Sequence, residues 1–209
     1  MSALFEYGPA YYRRLAGEIG LQGWAIWITG LPGSGKSTIA RALLRKLRKK
    51  NLRIQMLSVD MLRRVLTPRP TYSEDERKIV YDTLAFIVRL LTENSVNVLI
   101  DATGNRRSYR DNARRQIRKF MEAYIRCPLR ICIMRERRRR ITLGAPRGVY
   151  RKAEKKESYT VPGIGVPYER PLRPEVIVDS VRLTPEQSAD KILKKILGEF
   201  ERKKSSSGE

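Results

Sequence analysis

Residues Gly30-Leu31-Pro32-Gly33-Ser34-Gly35-Lys36-Ser37, followed by Thr38, space their glycines, lysine and hydroxyl as G-x-x-x-x-G-K-[ST] requires. Glycine lets successive backbone N–H groups turn inward around phosphate oxygens. Lys36 reaches toward β- and γ-phosphates, and Ser37 offers a hydroxyl to Mg²⁺. Phosphoryl transfer also needs a carboxylate beside the accepting hydroxyl. Asp60 and Asp101 each follow an apolar run that reads as a strand. In a parallel α/β sheet the carboxyl ends of the strands form the ligand crevice, so both acids are expected to face the loop. Asp60 is expected to orient or deprotonate the acceptor, and Asp101 to hold Mg²⁺ directly or through water. The expected catalytic set is therefore Lys36, Asp60 and Asp101, and the metal-facing set Ser37, Asp60 and Asp101. The plainer reading of each aspartate is a helix cap or turn residue. With no histidine in the chain, a general base must be a carboxylate, Lys, Tyr or Cys.

The elements that must position these groups follow from apolar periodicity. Residues 24–29 read as a strand before the loop. The next helix, near 37–50, shows a stripe at Ile39, Leu43 and Leu47 and points its positive end at the phosphate site. Strands are predicted at 53–57, 96–100, 123–126 and 176–178. Ser73 with Glu76 reads as a capping box opening a helix to Glu93. Ser108 is expected to cap a basic helix running toward Phe120, and residues 129–139 to form another helix. Thr184-Pro185 with Gln187 opens a last helix, striped by Ile192, Leu193, Ile196, Leu197 and Phe200. Residues 11–20 are expected to form a short N-terminal helix. Alternating strands and helices around such a loop predict an α/β, three-layer P-loop fold with a mainly parallel sheet. The expected organisation is an N-terminal extension at 1–22, a kinase domain at 23–201 with a basic lid at about 135–170, and a polar tail at 202–209.

The 209 residues carry 44 Lys and Arg against 22 Asp and Glu, a formal net charge of +22. Such a charge attracts nucleotides, nucleic acid or acidic surfaces, and implies weak, salt-sensitive nucleic-acid binding. Ten of the basic residues fall between Arg135 and Lys156. That stretch reads either as a solvated helix end or as a lid that covers phosphates against water. Cys127 and Cys132, with no other Cys and no His, exclude a zinc site and read as buried thiols. No apolar run opens the chain or approaches membrane-spanning length, so a cytoplasmic protein without membrane partners is expected.

Beyond the loop, four stretches resemble the adenylylsulfate kinase family, over roughly residues 23–197. The loop at 30–38 is one. Asp60-Met61-Leu62-Arg63 is similar to the end of the family's D-G-D-N-[IL]-R, and the segment from Tyr72 to Lys78 to its F-S-x-x-D-R. The most specific is Gly148-Val149-Tyr150-Arg151-Lys152-Ala153, then Gly163-Ile164, Pro167-Tyr168-Glu169 and Pro174-Glu175-Val176. Cys127-Pro128-Leu129 matches a strand-to-helix C-P-L. The resemblance implies an enzyme that uses ATP and Mg²⁺ to phosphorylate the 3′-hydroxyl of adenosine 5′-phosphosulfate. It implies ATP contacts from Gly30, Leu31, Pro32, Gly33, Ser34, Gly35, Lys36, Ser37, Thr38 and Arg135. It further implies acceptor contacts from Asp60, Arg63, Tyr72, Arg77, Thr103, Gly104, Arg147 and Val161, and a homodimer; the N-terminal aromatic segment is a candidate contact for it. Ser58 and Val59 depart from D-G-D, Val80 replaces an Asn, Val161 replaces a stacking Phe, and the chain carries an insertion between Arg135 and Gly148. Asp101-Ala102-Thr103-Gly104-Asn105-Arg106-Arg107 stands for the family's F-I-S-P-[YF]-R, with Gly104 where a phosphorylated Ser is described. This D-A-T-x-N-R segment also resembles P-loop kinases of polynucleotide 5′-hydroxyls or aminoacyl-tRNA, which remains the alternative. A third reading is a nucleotide-gated RNA-binding module without catalysis.

Overall fold

The computed structural model describes residues 22–139 and 145–201. Five parallel strands form one sheet in the order β2-β3-β1-β4-β5: β1 (Ala25–Thr29), β2 (Ile54–Ser58), β3 (Asn97–Asp101), β4 (Phe120–Arg126) and β5 (Val176–Asp179). The helices are α1 (Lys36–Arg48), α2 (Val59–Leu66), α3 (Glu74–Glu93), α4 (Arg107–Gln116), α5 (Leu129–Arg138), α6 (Val149–Glu154) and α7 (Pro185–Ile196), which runs on into a π-type turn at Leu197–Glu201.

Strand residues alternate between two cores because successive side chains point to opposite faces. Ile26 and Ile28 of β1 pack with Ile39, Leu43 and Leu47 of α1 and with Ile192 and Ile196 of α7. Ala25 and Trp27 face the other way, onto Val80, Leu84 and Val88 of α3 and Ala113 of α4. Both faces of the sheet are thus covered, as an all-parallel sheet requires. Each fully buried Ile or Leu contributes about 1.5–3 kcal/mol through the water it sheds. A smaller third core, with Cys127, Cys132, Tyr150, Ala153 and Val161, sits under the predicted lid. Both cysteines are buried free thiols, and burial pushes Cys132 up to about 12.

The structure corrects some expected boundaries. The basic helix α4 starts after Arg106 and ends at Gln116. Ser108 lies inside its first turn and caps nothing. Phe120 opens β4 rather than closing that helix, so the strand begins three residues before the expected 123. Within the expected lid, Val149–Glu154 is helical. The Thr184/Gln187 capping box is complete, whereas at Ser73 only half of one forms, for a reason given below. The helix expected at 11–20 lies outside the described residues. Among the described residues no helix is long and apolar enough to cross a membrane.

Candidate active site

The carboxyl ends of β1, β2 and β3 open into one cavity of about 1060 Å³. Its floor is the loop between β1 and α1. Gly33 adopts φ +76 and presses on α5, where an added Cβ would lie 2.4 Å from the Cys132 carbonyl oxygen, so only glycine fits. Pro32, Gly33, Gly35, Lys36, Ser37 and Thr38 line the cavity. Gly30, Leu31 and Ser34 form the back of the loop instead. Ser34 is fully buried, and the Leu31 carbonyl accepts a hydrogen bond from Lys36 Nζ at 2.9 Å. Burial lowers the Lys36 pKa, opposed by the charges of Asp101 and Asp60.

Both aspartates reach this floor. Asp60 stands in the first turn of α2, whose dipole favours an acid there. Asp101 ends β3 and is 6% exposed. Burial raises its pKa, against the opposing pull of Lys36 and a hydrogen bond from Ser37. Ser37, Asp60 and Asp101 together offer hard oxygen donors of the kind Mg²⁺ takes, alongside waters and phosphate oxygens. Among the described residues no three His, Cys, Asp or Glu group into a metal cage.

The opposite wall brings Arg63, Tyr72, Arg77, Thr103 and Val161 to the same cavity. Both arginines are already engaged. Arg63 is ion-paired with Glu76, both groups nearly buried. Burial alone would raise the Glu76 pKa, but hydrogen bonds from Thr71 and the Arg63 charge hold it down. Glu76 accepts from the N–H groups of Thr71 (2.5 Å) and Tyr72 (3.2 Å). That is why it does not complete the box with Ser73. Arg77 donates to the Tyr72 carbonyl (3.0 Å), Asn105 Oδ1 (3.3 Å) and the Thr160 carbonyl (2.6 Å). It thereby joins three chain segments. Tyr72, held at φ +57, places its ring 4.8 Å from the Arg63 guanidinium and 5.7 Å from that of Arg77.

Gly104 does not line the cavity, contrary to expectation. It is buried, its N–H donates to Tyr81 Oη, and its carbonyl accepts from Arg110. At φ +49, a Cβ would meet Trp27 at 2.8 Å, so a serine is sterically excluded there.

The lid side contributes Arg135, Arg138, Arg139, Arg147 and Lys152 to the cavity wall. Arg135 donates to Ser180 Oγ (3.1 Å) and the Ser180 carbonyl (2.8 Å). Residues 140–144 of the basic insertion lie outside the described residues. By contrast, four arginines at and in the basic helix α4 are paired: its N-cap Arg106 with Glu74, and Arg107, Arg110 and Arg114 with Glu169, Glu122 and Glu175. Composition shows the positive charges but not these partners, which arrive from up to 62 residues away.

Sequence reasoning did not single out Glu76 as the partner of Arg63, Asn105 as that of Arg77, or Glu136 and Tyr150. Glu76 was visible as a cap residue and Tyr150 within the G-V-Y-R-K-A run. Glu136, 3% exposed, carried no signal of its own.

The adenylylsulphate kinase family model matches residues 22–179. An adenylyl-sulfate kinase of Rippkaea orientalis is 37% identical over 175 residues, 84% of this chain and 92% of that protein. One from Gloeothece citriformis is 35% identical over 175 residues, 84% of this chain and 94% of that protein. Among solved structures, the APS kinase of Mycobacterium tuberculosis in complex with AMPPNP and APS has a TM-score of 0.74 at 29% identity, covering 84% of this chain and 98% of that chain.

Proposed function

This chain belongs to the adenylylsulphate kinase family of P-loop kinases, and we propose that its cleft moves the γ-phosphoryl of ATP to the 3′-hydroxyl of adenosine 5′-phosphosulfate. The observation that carries this reading is the convergence of loop, Asp60, Asp101, Arg63, Tyr72 and Arg77 on one cavity.

The loop amides and Lys36 hold the β- and γ-phosphates and neutralise charge spreading over the equatorial oxygens. Asp60 aligns the 3′-hydroxyl and takes its proton as the new O–P bond forms and the β–γ bridge breaks, releasing ADP. Mg²⁺, when bound, would supply further charge neutralisation, and Ser37 and Asp101, with Asp60, would hold it or its waters. Arg63 and Arg77, fixed by Glu76, Asn105 and the Thr160 carbonyl, present positive charge to the phosphosulfate without reordering long side chains. Thr103 and Val161 bound the acceptor space. Arg135, Arg147 and Lys152 close over the nucleotide from the lid. Transfer is direct and in line, since Gly104 has no hydroxyl to phosphorylate.

The protein acts as a homodimer. Ile79, Phe86 and Leu90 are exposed along one stripe of α3, and Met61 and Val65 are exposed on the adjoining α2. An apolar stripe of this kind suits self-association. Light scattering with Phe86→Glu tests it: the variant is expected to halve the mass, and an unchanged mass would reject this face.

The activity is tested by ADP release. Release that depends on adenosine 5′-phosphosulfate, with the product's label removed by a 3′-specific nucleotidase, is expected. Release indifferent to this acceptor would reject the reading.

A further inference from the structure

Helix α6 lends Val149 and Lys152 to the cavity wall, while another of its side chains, Tyr150, touches the loop backbone. Tyr150 is fully buried, and its hydroxyl donates to the Pro32 carbonyl at 2.9 Å. Burial raises its pKa well above the ordinary phenol value, so the hydroxyl stays a donor at every working pH. The ring is fixed because α6 is tied to α5 at both ends. Glu136 accepts from the Gly148 N–H at 2.7 Å, and Arg137 pairs with Glu154 at 2.5 Å. Arg139 reinforces the first tie, donating to the Pro146 carbonyl at 2.7 Å.

The peptide that joins Pro32 to Gly33 is planar and trans, so its C=O and N–H point in opposite directions. Holding the carbonyl outward turns the Gly33 N–H toward the cavity. Proline offers no N–H of its own to the cradle, so Gly33 is the first donor after the Leu31 turn. Gly33 is also the residue with the widest backbone freedom at this point, at φ +76. Without the Tyr150 hydroxyl, the Pro32–Gly33 peptide plane would lose its one side-chain hydrogen bond among the described residues.

We propose that Tyr150 is a positioning residue of the phosphate loop, its hydroxyl holding the Pro32 carbonyl so that the Gly33 N–H faces the β- and γ-phosphates. The proposal rests on the loop being the ATP site but not on the identity of the acceptor. The contribution is to ATP and ADP, and not to the acceptor wall, which Tyr150 does not line.

Tyr150→Phe removes only the hydroxyl and keeps the buried ring. Calorimetric titration with ADP is expected to show about tenfold weaker binding, the worth of one well-placed hydrogen bond. The KM for ATP should rise by a similar factor while the KM for the acceptor stays within about twofold. Tyr109→Phe, which removes another half-buried phenol hydroxyl remote from the loop, should leave ADP binding unchanged. Equal ADP affinity in wild type and Tyr150→Phe would overturn the proposal, as would an equal loss in Tyr109→Phe or a loss shared by ATP and acceptor. Failure of the wild-type chain to bind ADP would overturn both this proposal and the reading of the loop.

Discussion

The two walls of the cleft meet the same problem, holding an oxyanion, by different means. The loop wall uses backbone N–H groups and one lysine, all within the nine residues from Gly30 to Thr38. The acceptor wall uses arginines from α2 and α3, pinned by Glu76, Asn105 and the Thr160 carbonyl. The first is preorganised by local backbone geometry, the second by tertiary hydrogen bonds. Backbone cradles tolerate few substitutions but need few partners. Arginine pockets depend on every partner that fixes them, because an untethered guanidinium loses its rotamer entropy on binding.

The largest expected effect breaks the loop wall. Lys36→Ala should reduce turnover about a thousandfold, as for loss of a principal charge-stabilising donor. The melting temperature should hold or rise, since the substitution removes a charge whose pKa burial lowers. Retained activity would mean that phosphate binds elsewhere.

Asp60→Asn stands between the walls. It should lower kcat about a hundredfold while the KM for ATP changes less than about twofold. A raised KM with kcat intact would demote Asp60 to a first-turn acid that only complements the α2 dipole.

Glu76→Gln separates the walls. With the Arg63 ion pair gone, the KM for adenosine 5′-phosphosulfate should rise about tenfold while that for ATP stays constant. Equal effects on both would mean that the walls are not independent.

The smallest effect lies outside both. Glu175 accepts from Arg114 and from the Glu122 N–H. Burial alone would raise its pKa, but these hydrogen bonds and the Arg114 charge bring it below the ordinary value. A depressed folded pKa contributes stability that is fully present above the unfolded value, about 4.3, and is lost as pH falls through the folded value. Glu175→Gln should therefore cost about 1.5 kcal/mol at neutral pH and flatten the acid limb of stability, leaving both KM values unchanged. An acid limb as steep as wild type would remove Glu175 from the account.

The same contrast explains what could be read from the chain. The loop, its flanking strand and helix, and the two aspartates at strand ends depend on spacing within short windows, and sequence shows spacing. The parallel sheet followed from the strand–helix alternation. The engaged state of Arg63 and Arg77 depends on contacts spanning 13 to 83 residues, which no local pattern encodes. Ser108 misled because a serine before a basic run imitates a cap, whereas the backbone makes Arg106 the N-cap and starts α4 at Arg107. The short helix α6 was missed because its six residues carry too little periodicity to register. Gly104 was expected in the acceptor site on resemblance alone; the Trp27 ring above it required the fold.

By this reading the cleft phosphorylates a small nucleotide at its 3′-hydroxyl. The most direct test supplies γ-labelled ATP and Mg²⁺ with adenosine 5′-phosphosulfate and a 5′-hydroxyl oligonucleotide in parallel. The account predicts label at the 3′-position of the small nucleotide and none on the oligonucleotide. Label on the oligonucleotide alone would contradict it and would make the basic surface the substrate track.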